Sequence, residues 1–291
     1  MAVREGLANN WRTFRWAAWL GWQMEANWTN WYLFFIYSIA KPIAGTLIVV
    51  IMYLIVFAGG VTQDPTFFSY MYLGNAFYIF IGQALFGVTS VIHEDREHYQ
   101  TLKQIYMAPI SLFVYLIGRA VAKIAVAGMA VIITLAFGML ALGLPLALLN
   151  IDWPLLALAL SLGLFCMVSI GVALAGLTFL TAKHGYGINE GVAGIFYLFC
   201  GVIFPLTVLP DWGRAAGQVI PITYWLEITR RAMLPGSGIS TVSGLGDFSN
   251  IQILSFLLLS AGIFLVLSIG IFKYADYLAR KKGKLDMSTS Y

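Results

Sequence analysis

The chain has 291 residues, of which 60% are hydrophobic and only 10% are charged, and its formal net charge is +4. Soluble globular domains carry about 25% charged residues, so the composition excludes an ordinary soluble domain and indicates a membrane protein. The basic excess is typical of contact with the cytoplasmic leaflet, and nucleic acid is not expected as a partner.

The N-terminal segment, residues 1–31, predicts a helix that lies at the membrane interface. Indole rings favour the headgroup level. Six of the nine tryptophans fall in this segment: Trp11, Trp16, Trp19, Trp22, Trp28 and Trp31. The helix would be a topological anchor or, alternatively, would also contact a cytoplasmic partner. A cleavable signal peptide is not predicted, because no apolar stretch is followed by a cleavage site of small residues.

Six windows without Asp, Glu, Lys or Arg predict six transmembrane helices, since a spanning helix needs about 20 apolar residues. The first is short, but its apolar run starts at Trp31 and is interrupted only by Lys41, which can snorkel to the interface. None alternates as a barrel strand would. The chain is therefore predicted to be an all-α integral membrane protein, with one transmembrane domain over 1–291 and its six-span bundle over 32–272. The windows are 42–58, 65–93, 124–151, 153–182, 191–210 and 248–272.

The placement of lysine and arginine predicts a multi-pass protein of the inner membrane with both termini cytoplasmic. Thirteen basic residues fall on one side of the predicted bundle, and five of them belong to a tail at 273–291. The other side has only three, Arg214, Arg230 and Arg231.

A compact cluster of charges, residues 91–111, separates the second and third predicted spans. It predicts a short amphipathic helix from Glu94 to Met107, which ends before Pro109. This helix is either an ordinary solvated loop helix or a contact with something outside the bilayer. One of its faces would carry Tyr99, Leu102 and Tyr106.

The segment 210–250, between the fifth and sixth predicted spans, is too apolar for an ordinary loop. Prolines divide it into pieces of about 10 to 13 residues, which predict re-entrant or interfacial helices in the outer leaflet. Glu227, Arg230 and Arg231 have the spacing of an ion-pair cluster. We expect a structural clamp there, with a substrate contact as the alternative.

Several kinds of chemistry have no motif in the chain. It lacks the G-x-x-x-x-G-K-[ST] loop that would bind ATP phosphates, and it has no Cys/His grouping at metal-ligand spacing. No ionisable residue falls at the centre of a predicted span, where proton relays and ion paths have such groups. The sequence therefore predicts no catalytic site, metal or cofactor on this chain, and an external source of energy.

Two blocks of sequence resemble the permease subunits of type-2 ABC exporters. The first is EDREHYQTLKQIYMAPIS, which resembles the family's cytoplasmic connection, although Gln100 replaces a usual glycine and Lys103 a usual glutamate. Its matching residues are Thr101, Leu102, Pro109, Ile110 and Ser111. The second block, 201–234, resembles the segment that follows the family's fifth helix. Its matching residues are Gly201, Pro205, Leu209, Pro210, Trp212, Pro221, Ile222, Thr223, Tyr224 and either Arg230 or Arg231.

The resemblance implies a half-transporter that pairs with a second permease, either a copy of itself or a homologue. It also implies two copies of a separate P-loop ATP-binding subunit, which would hold ATP and Mg, and contact with membrane lipids. The charge cluster would be the coupling helix, seated in a groove of that subunit. The residues implied in coupling are Glu94, Asp95, Arg96, Glu97, Tyr99, Thr101, Leu102, Lys103, Tyr106 and Pro109.

The resemblance further places a substrate path at the interface of the two permeases. The candidates are Asn75, Gln83, Tyr197, Phe204 and Pro205. Asn75 and Gln83 are eight residues apart, which is only about 80° around a helix, so they can face one cavity. The alternative is that they hold helices together by hydrogen bonds.

The expected function is that of an exporter permease. Its substrate would be amphipathic or lipid-like (a drug, a lipopeptide or a lipid-linked glycan) and would leave the cytoplasm or the inner leaflet. The alternatives are a secondary carrier or channel that works without an ATPase, and a membrane-embedded enzyme or assembly scaffold.

Overall fold

A computed structural model describes residues 2–26, 30–58, 64–180 and 185–281. All regular secondary structure in these ranges is helical, which confirms the predicted all-α class. Its α-helices are α1 (Ala2–Ala26), α2 (Trp31–Ala58), α3 (Pro65–Ile81), α4 (Gly87–His93), α5 (Leu102–Met107), α6 (Leu112–Ala141), α7 (Trp153–Leu180), α8 (Gly185–Phe199), α9 (Asp211–Val219), α10 (Pro221–Met233), α11 (Ile239–Ser243) and α12 (Asn250–Lys281). A π-helical turn, Gly82–Phe86, joins α3 to α4, and a second one, Glu94–His98, follows α4.

Four helices in the described ranges are long and apolar enough to cross a membrane, and they fall on the second, third, fourth and sixth predicted spans. They are Pro65–His98, Leu112–Ala141, Trp153–Thr178 and Asn250–Lys281. At the first predicted span, the apolar part of α2 is shorter, Ile39–Ile55. At the fifth, α8 has 15 residues and follows residues 181–184, which lie outside the described ranges. The six-span layout therefore stays a prediction.

The N-terminal helix α1 packs along α6 through small residues. A Cβ atom on Gly118 of α6 would lie 2.6 Å from the Cβ atom of Ala17, so the two backbones approach too closely for a larger side chain. Of the tryptophans in the predicted interfacial segment, Trp11, Trp16, Trp19 and Trp22 are exposed, and Trp28 lies outside the described ranges. Exposed indoles on the free surface of α1 suit the predicted interfacial position, which stays a prediction.

The segment between α8 and α12 forms two short helices, α9 and α10, of 9 and 13 residues. Their lengths agree with the pieces that the prolines predict. Nearly all of α10 is buried, between α3, α7 and α12. Pro221 starts α10, where the missing N–H of proline costs no helical hydrogen bond. The re-entrant position in the outer leaflet stays a prediction.

The first part of the predicted tail, 273–291, belongs to α12, because this helix continues to Lys281. Residues 282–291 lie outside the described ranges. The helix therefore extends nine residues beyond the predicted end of the bundle at 272, and it positions Asp276 and Arg280 beside α5.

The contact between α10 and α7 gives a prediction for stability. A Cβ atom on Gly163 would overlap the indole of Trp225, which is fully buried and lies edge-on to Phe77 at 6.0 Å. We expect Gly163→Ala to lower the free energy of unfolding by about 1–3 kcal/mol, the usual cost of overpacking. Thermal unfolding in detergent measures the change. The matched control is Gly262→Ala, where a Cβ atom meets nothing within 4 Å; an equal loss in both variants would contradict the prediction.

Candidate functional site at the α5 end of the bundle

The charge cluster contains a sharp turn. After the π-helical Glu94–His98, Gln100 adopts φ 53°, a left-handed conformation that non-glycine residues seldom take. The Thr101 N–H then donates to the Asp95 carbonyl at 2.8 Å, and α5 starts at Leu102. The single helix predicted from Glu94 to Met107 is therefore wrong, because the left-handed residue ends one helix and reorients the next. The turn occurs where the resembling family usually has glycine, the residue that takes this conformation at least cost.

Charges from three helices form one ion-pair network beside this turn. Arg119 of α6 donates to Asp95 Oδ1 at 3.2 Å and to Glu94 Oε2 at 3.2 Å. Lys123, one helical turn further along α6, donates to Glu94 Oε1 at 3.1 Å and to Glu25 at the end of α1. The network therefore ties α1, α6 and the end of the helix that begins at Pro65.

The centre of the network is withdrawn from solvent. The side chains of Arg119 and Asp95 are each 1% exposed. The Tyr115 hydroxyl donates to Asp95 Oδ2 at 2.9 Å and accepts from Arg119 at 2.9 Å. A buried charge is tolerated only when it is paired and hydrogen-bonded. Of the two interpretations of this segment, an ordinary solvated loop helix does not describe Asp95, which Arg119 holds inside the bundle. Nor does it describe Glu94, which is 27% exposed and pairs with Arg119 and Lys123.

The short helix α5 is docked on the bundle by one of its faces. Leu102 is buried in a hydrophobic cluster with residues of α1, α4 and α6. The Tyr106 hydroxyl donates to Asp276 Oδ1 of α12 at 2.6 Å, and burial and the nearby carboxylate raise the pKa of this hydroxyl. Leu102 and Tyr106 thus face inward, which corrects their predicted place on the partner-facing side.

The exposed residues of α5 are Lys103, Gln104 and Met107, of which Lys103 and Met107, four residues apart, share one face; the Met107 side chain is 78% exposed. We call these two residues the outward face. Tyr99, before the turn, and Pro109, after α5, are also exposed. Two residues of the cluster are instead paired inside it: Arg96, which is buried, donates from Nε to Glu97 Oε1 at 3.0 Å.

A cavity of about 600 Å³ adjoins the network, between α2, α3, α6 and α8. Asn75 and Gln83 both line it, as their spacing predicts. Its wall includes the π-helical turn Gly82–Phe86, and turns of this kind occur often at functional sites. Aromatic rings of Tyr78 and Phe86 and three charged side chains, Glu25, Lys41 and Glu190, complete the mixed lining.

The other candidates for the substrate path lie apart from the cavity lining. The Tyr197 hydroxyl donates to Asn75 Oδ1 at 3.4 Å. Asn75 also donates to Thr46 Oγ1 at 3.3 Å, so it joins helices as well as lining the cavity. Phe204 is 42% exposed, and buried Pro205 precedes the short 3-10 helix Leu206–Val208.

One residue belongs to both the network and the cavity. Glu25 lines the cavity and accepts the hydrogen bond from Lys123. Lys123 in turn donates to Glu94, which precedes Asp95, the residue whose carbonyl accepts from Thr101 in the turn. A change at the cavity wall therefore has a direct ionic route to the turn that positions α5.

The predicted clamp at Glu227, Arg230 and Arg231 is divided into two separate contacts. Arg231 pairs with Glu227 at 2.7 Å and donates to carbonyl groups of the segment before α12. Arg230 takes no part in that pair. Its guanidinium lies 3.7 Å from the centre of the Tyr70 ring and donates to the carbonyls of Tyr70, Gly201 and Val202. The prediction of a single cluster is wrong, because Arg230 instead binds the backbone where α8 ends.

Sequence reasoning missed Arg119, Lys123, Glu25 and Asp276 as site residues. Arg119 and Lys123 were counted only among the thirteen basic residues on one side of the predicted bundle, but both lie within α6. Their spacing of four residues was the available signal, since it places both cations on one face of a helix. No comparable signal identifies Glu25 or Asp276, which come from distant parts of the chain.

The fold and this site define a class of protein: a multi-pass membrane protein with long apolar helices and a cavity of mixed polar and apolar lining. Comparison with known proteins identifies the family. The family model described as ABC-2 type transporter matches residues 14–234, more than half of the chain. The chain belongs to the ABC-2 type transporter family, whose members are transmembrane permease subunits that work with an ATP-binding subunit.

Two curated relatives are similar to part of the chain. Both are described as "Probable multidrug ABC transporter permease YbhR", one from Escherichia coli (strain K12) and one from Escherichia coli O157:H7. Each is 26% identical over 161 residues, which cover 53% of this chain and 41% of the relative. The match therefore spans about two fifths of the length of these relatives.

The left-handed turn gives one prediction. We expect Gln100→Gly to raise the free energy of unfolding by up to about 1 kcal/mol, because a left-handed conformation costs a side-chain-bearing residue about 1–2 kcal/mol. Gln104→Gly, inside α5, is the matched control and should lower it, since glycine in a helix costs about 1 kcal/mol. Thermal unfolding in detergent measures both. A loss of stability in Gln100→Gly would show that the turn does not carry this strain.

The ion-pair network gives another prediction. Arg119→Met leaves Asp95 buried without its cation, and breaking such a pair costs about 3–5 kcal/mol. We expect the double variant Arg119→Met/Asp95→Asn to recover part of this loss, because the uncompensated charge is gone. Arg15→Met, at an exposed position of α1, is the control and should change stability by less than about 0.5 kcal/mol. Additive effects of the two single changes in thermal unfolding would contradict the proposed coupling.

Proposed function

We propose that this chain is the permease subunit of an ATP-driven exporter and that two permeases assemble with two copies of a separate P-loop ATP-binding subunit. In this proposal both termini are cytoplasmic, and α5 is the coupling helix that contacts the ATP-binding subunit. Membership of the ABC-2 family supports the partnership with an ATPase. The copy numbers, the orientation of the termini, the coupling role of α5, ATP-driven export and the substrate are all parts of this proposal.

The observation that carries the proposal is that one helical rod joins the cavity to α5. Pro65–His98 is continuous through two π-helical turns. It lines the cavity with Asn75 and Gln83 and ends at the turn of Gln100. A force applied to α5 by an ATPase would therefore act on the end of the same rod that forms the cavity wall.

The ion-pair network makes the α5 end a unit that can transmit such a force. Arg119 and Lys123 fasten the rod to α6, and Lys123 also fastens it to α1. Leu102 of α5 packs into the same end of the bundle. ATP binding can shift an equilibrium only through contacts that differ between two states. The outward face of α5, Lys103 and Met107, is the surface that we assign to those contacts.

The cavity supports an amphipathic or lipid-like substrate. Aromatic rings of Tyr78 and Phe86 suit an apolar part, whereas the amides of Asn75 and Gln83 and the carboxylate of Glu190 suit a polar or cationic part. The description of the curated relatives as multidrug permeases agrees with a drug-like substrate.

A secondary carrier that works without an ATPase is the second candidate function. It is favoured by the charges of Glu25, Lys41 and Glu190 around the cavity, because ion-coupled carriers use ionisable groups on their pathway. Reconstitution separates the two. The exporter requires the ATP-binding subunit and ATP for transport in proteoliposomes, whereas a carrier transports with this chain alone under an ion gradient.

The outward face of α5 gives a prediction for coupling. Met107→Asp places a charge in the proposed contact, and we expect ATP-driven transport to fall at least tenfold, the effect of about 1.4 kcal/mol lost from that contact. The chain should still insert and show an unchanged melting temperature, because the Met107 side chain is 78% exposed. Transport by proteoliposomes that contain both subunits measures the effect.

The control for this prediction is Leu149→Asp. Leu149 is 98% exposed in the connection between α6 and α7, at the other end of α6 from α5. It should leave transport unchanged. Normal ATP-driven transport in Met107→Asp would remove α5 as the coupling contact.

A further inference from the structure

A second groove, of about 460 Å³, lies between the start of α6 and the end of α12. Its lining combines apolar side chains with a few polar ones. Leu112, Phe113 and Val114 line it from α6, and Ile269 and Phe272 from α12. Its polar residues are Asn10, Ser111, Lys273, Asp276 and Arg280. None of these residues lines the cavity of the proposed export path.

The charge of the groove is positive. Lys273 and Arg280 oppose one carboxylate, that of Asp276, which is already paired with Arg280 at 3.1 Å and accepts from Tyr106. Lys273 is exposed at the groove and enters no ion pair among the described residues. The start of α6 adds to the positive potential, because the Ser111 side chain makes no capping hydrogen bond and the first N–H groups of a helix favour an anion. The groove is therefore complementary to a negative group.

The position of the groove along α12 indicates its depth in the membrane. Residues 251–272 contain no charge, and 22 helical residues span about 33 Å, the thickness of the hydrocarbon layer. Lys273 is the next residue and therefore lies at the headgroup level. Tyr274 and Tyr277, which are 65% and 60% exposed, are the aromatic residues typical of that level.

We propose that this groove binds an anionic phospholipid. Its phosphate would lie between Lys273 and the start of α6, and an acyl chain would follow Ile269 and Phe113 toward the membrane centre. Basic residues beside a membrane helix bind anionic headgroups by this combination of charge and level. Because Asp276 in the same groove holds Tyr106 of α5, the lipid lies next to the contact that docks α5 on the bundle.

The inference rests on the membrane-spanning placement of α12 and not on export. Failure of the transport experiments therefore leaves it intact, and its own failure does not bear on the permease assignment.

Native mass spectrometry of the full chain in detergent tests the inference, with phosphatidylglycerol and phosphatidylcholine of the same acyl chains as probes. We expect selective binding of phosphatidylglycerol, which Lys273→Gln weakens about fivefold, the contribution of one basic residue near an anionic lipid. Lys281→Gln, on the same helix but outside the groove, should bind as the unchanged chain does. Equal binding of both lipids, or equal losses in both variants, would overturn the proposal.

Two further measurements separate a lipid from a free anion and from nonspecific association. Ile269→Trp fills the apolar part of the groove without changing its charge, and it should also reduce the retention of phosphatidylglycerol. An excess of inorganic phosphate should not displace the lipid. Displacement by inorganic phosphate together with unchanged binding in Ile269→Trp would assign a simple anion site and overturn the lipid proposal.

Discussion

The α5 end of this molecule depends on the burial of an arginine between two acidic side chains. Arg119 and Asp95 are buried as a pair, so that removing either one leaves the other charge uncompensated inside the bundle, and the partly exposed Glu94 is the second partner of Arg119. Lys123 extends the set to Glu25, so that α1 is held by the same ion pairs. The network thus determines where the rod that begins at Pro65 ends and how α1 lies on α6.

This constraint links the cavity to α5 by two routes. The first is mechanical, because the rod that lines the cavity continues to the turn at Gln100. The second is ionic, because Glu25 belongs to both the cavity wall and the network. Packed, bistable interfaces convert small displacements into larger ones. In the proposed mechanism, a movement of α5 would therefore shift α1, α6 and the cavity wall together.

The sequence predicted the features that depend on local pattern. Charge-free runs located the four long helices, prolines located the division between α9 and α10, and the eight-residue spacing placed Asn75 and Gln83 on one cavity. The break at Gln100 was missed because a single left-handed residue in a polar segment has no periodic signature. The predicted orientation of Leu102 and Tyr106, toward a partner, was wrong because periodicity identifies an amphipathic face but not what that face packs on. Here it packs on α12 and on the cluster beneath α5.

The other features that the sequence did not predict depend on contacts between residues far apart in the chain. Arg230 has the spacing of an ion pair with Glu227, yet it binds the carbonyls of Gly201 and Val202, which are 29 and 28 residues away in the chain. Unwound backbone at the end of α8 leaves carbonyl groups that need donors inside the bundle. The spacing of residues within α10 cannot reveal this interaction, because the carbonyl groups that need a donor belong to a different part of the chain. The same is true of Glu25, which meets Lys123 across 98 residues.

The central proposal is that α1, α5, α6 and the rod that begins at Pro65 move as one unit when the ATP-binding subunit acts on α5. A thiol cross-link tests it directly. Trp16 of α1 and Gln104 of α5 line the same groove, and both would be changed to cysteine in a chain whose Cys166 and Cys200 are replaced by alanine. After joining them with a short, cleavable bifunctional reagent, ATP-driven transport by the reconstituted complex is measured. The account predicts that transport persists while the link is intact. Loss of transport that returns on cleavage of the link would show that α1 and α5 must separate, and would contradict it.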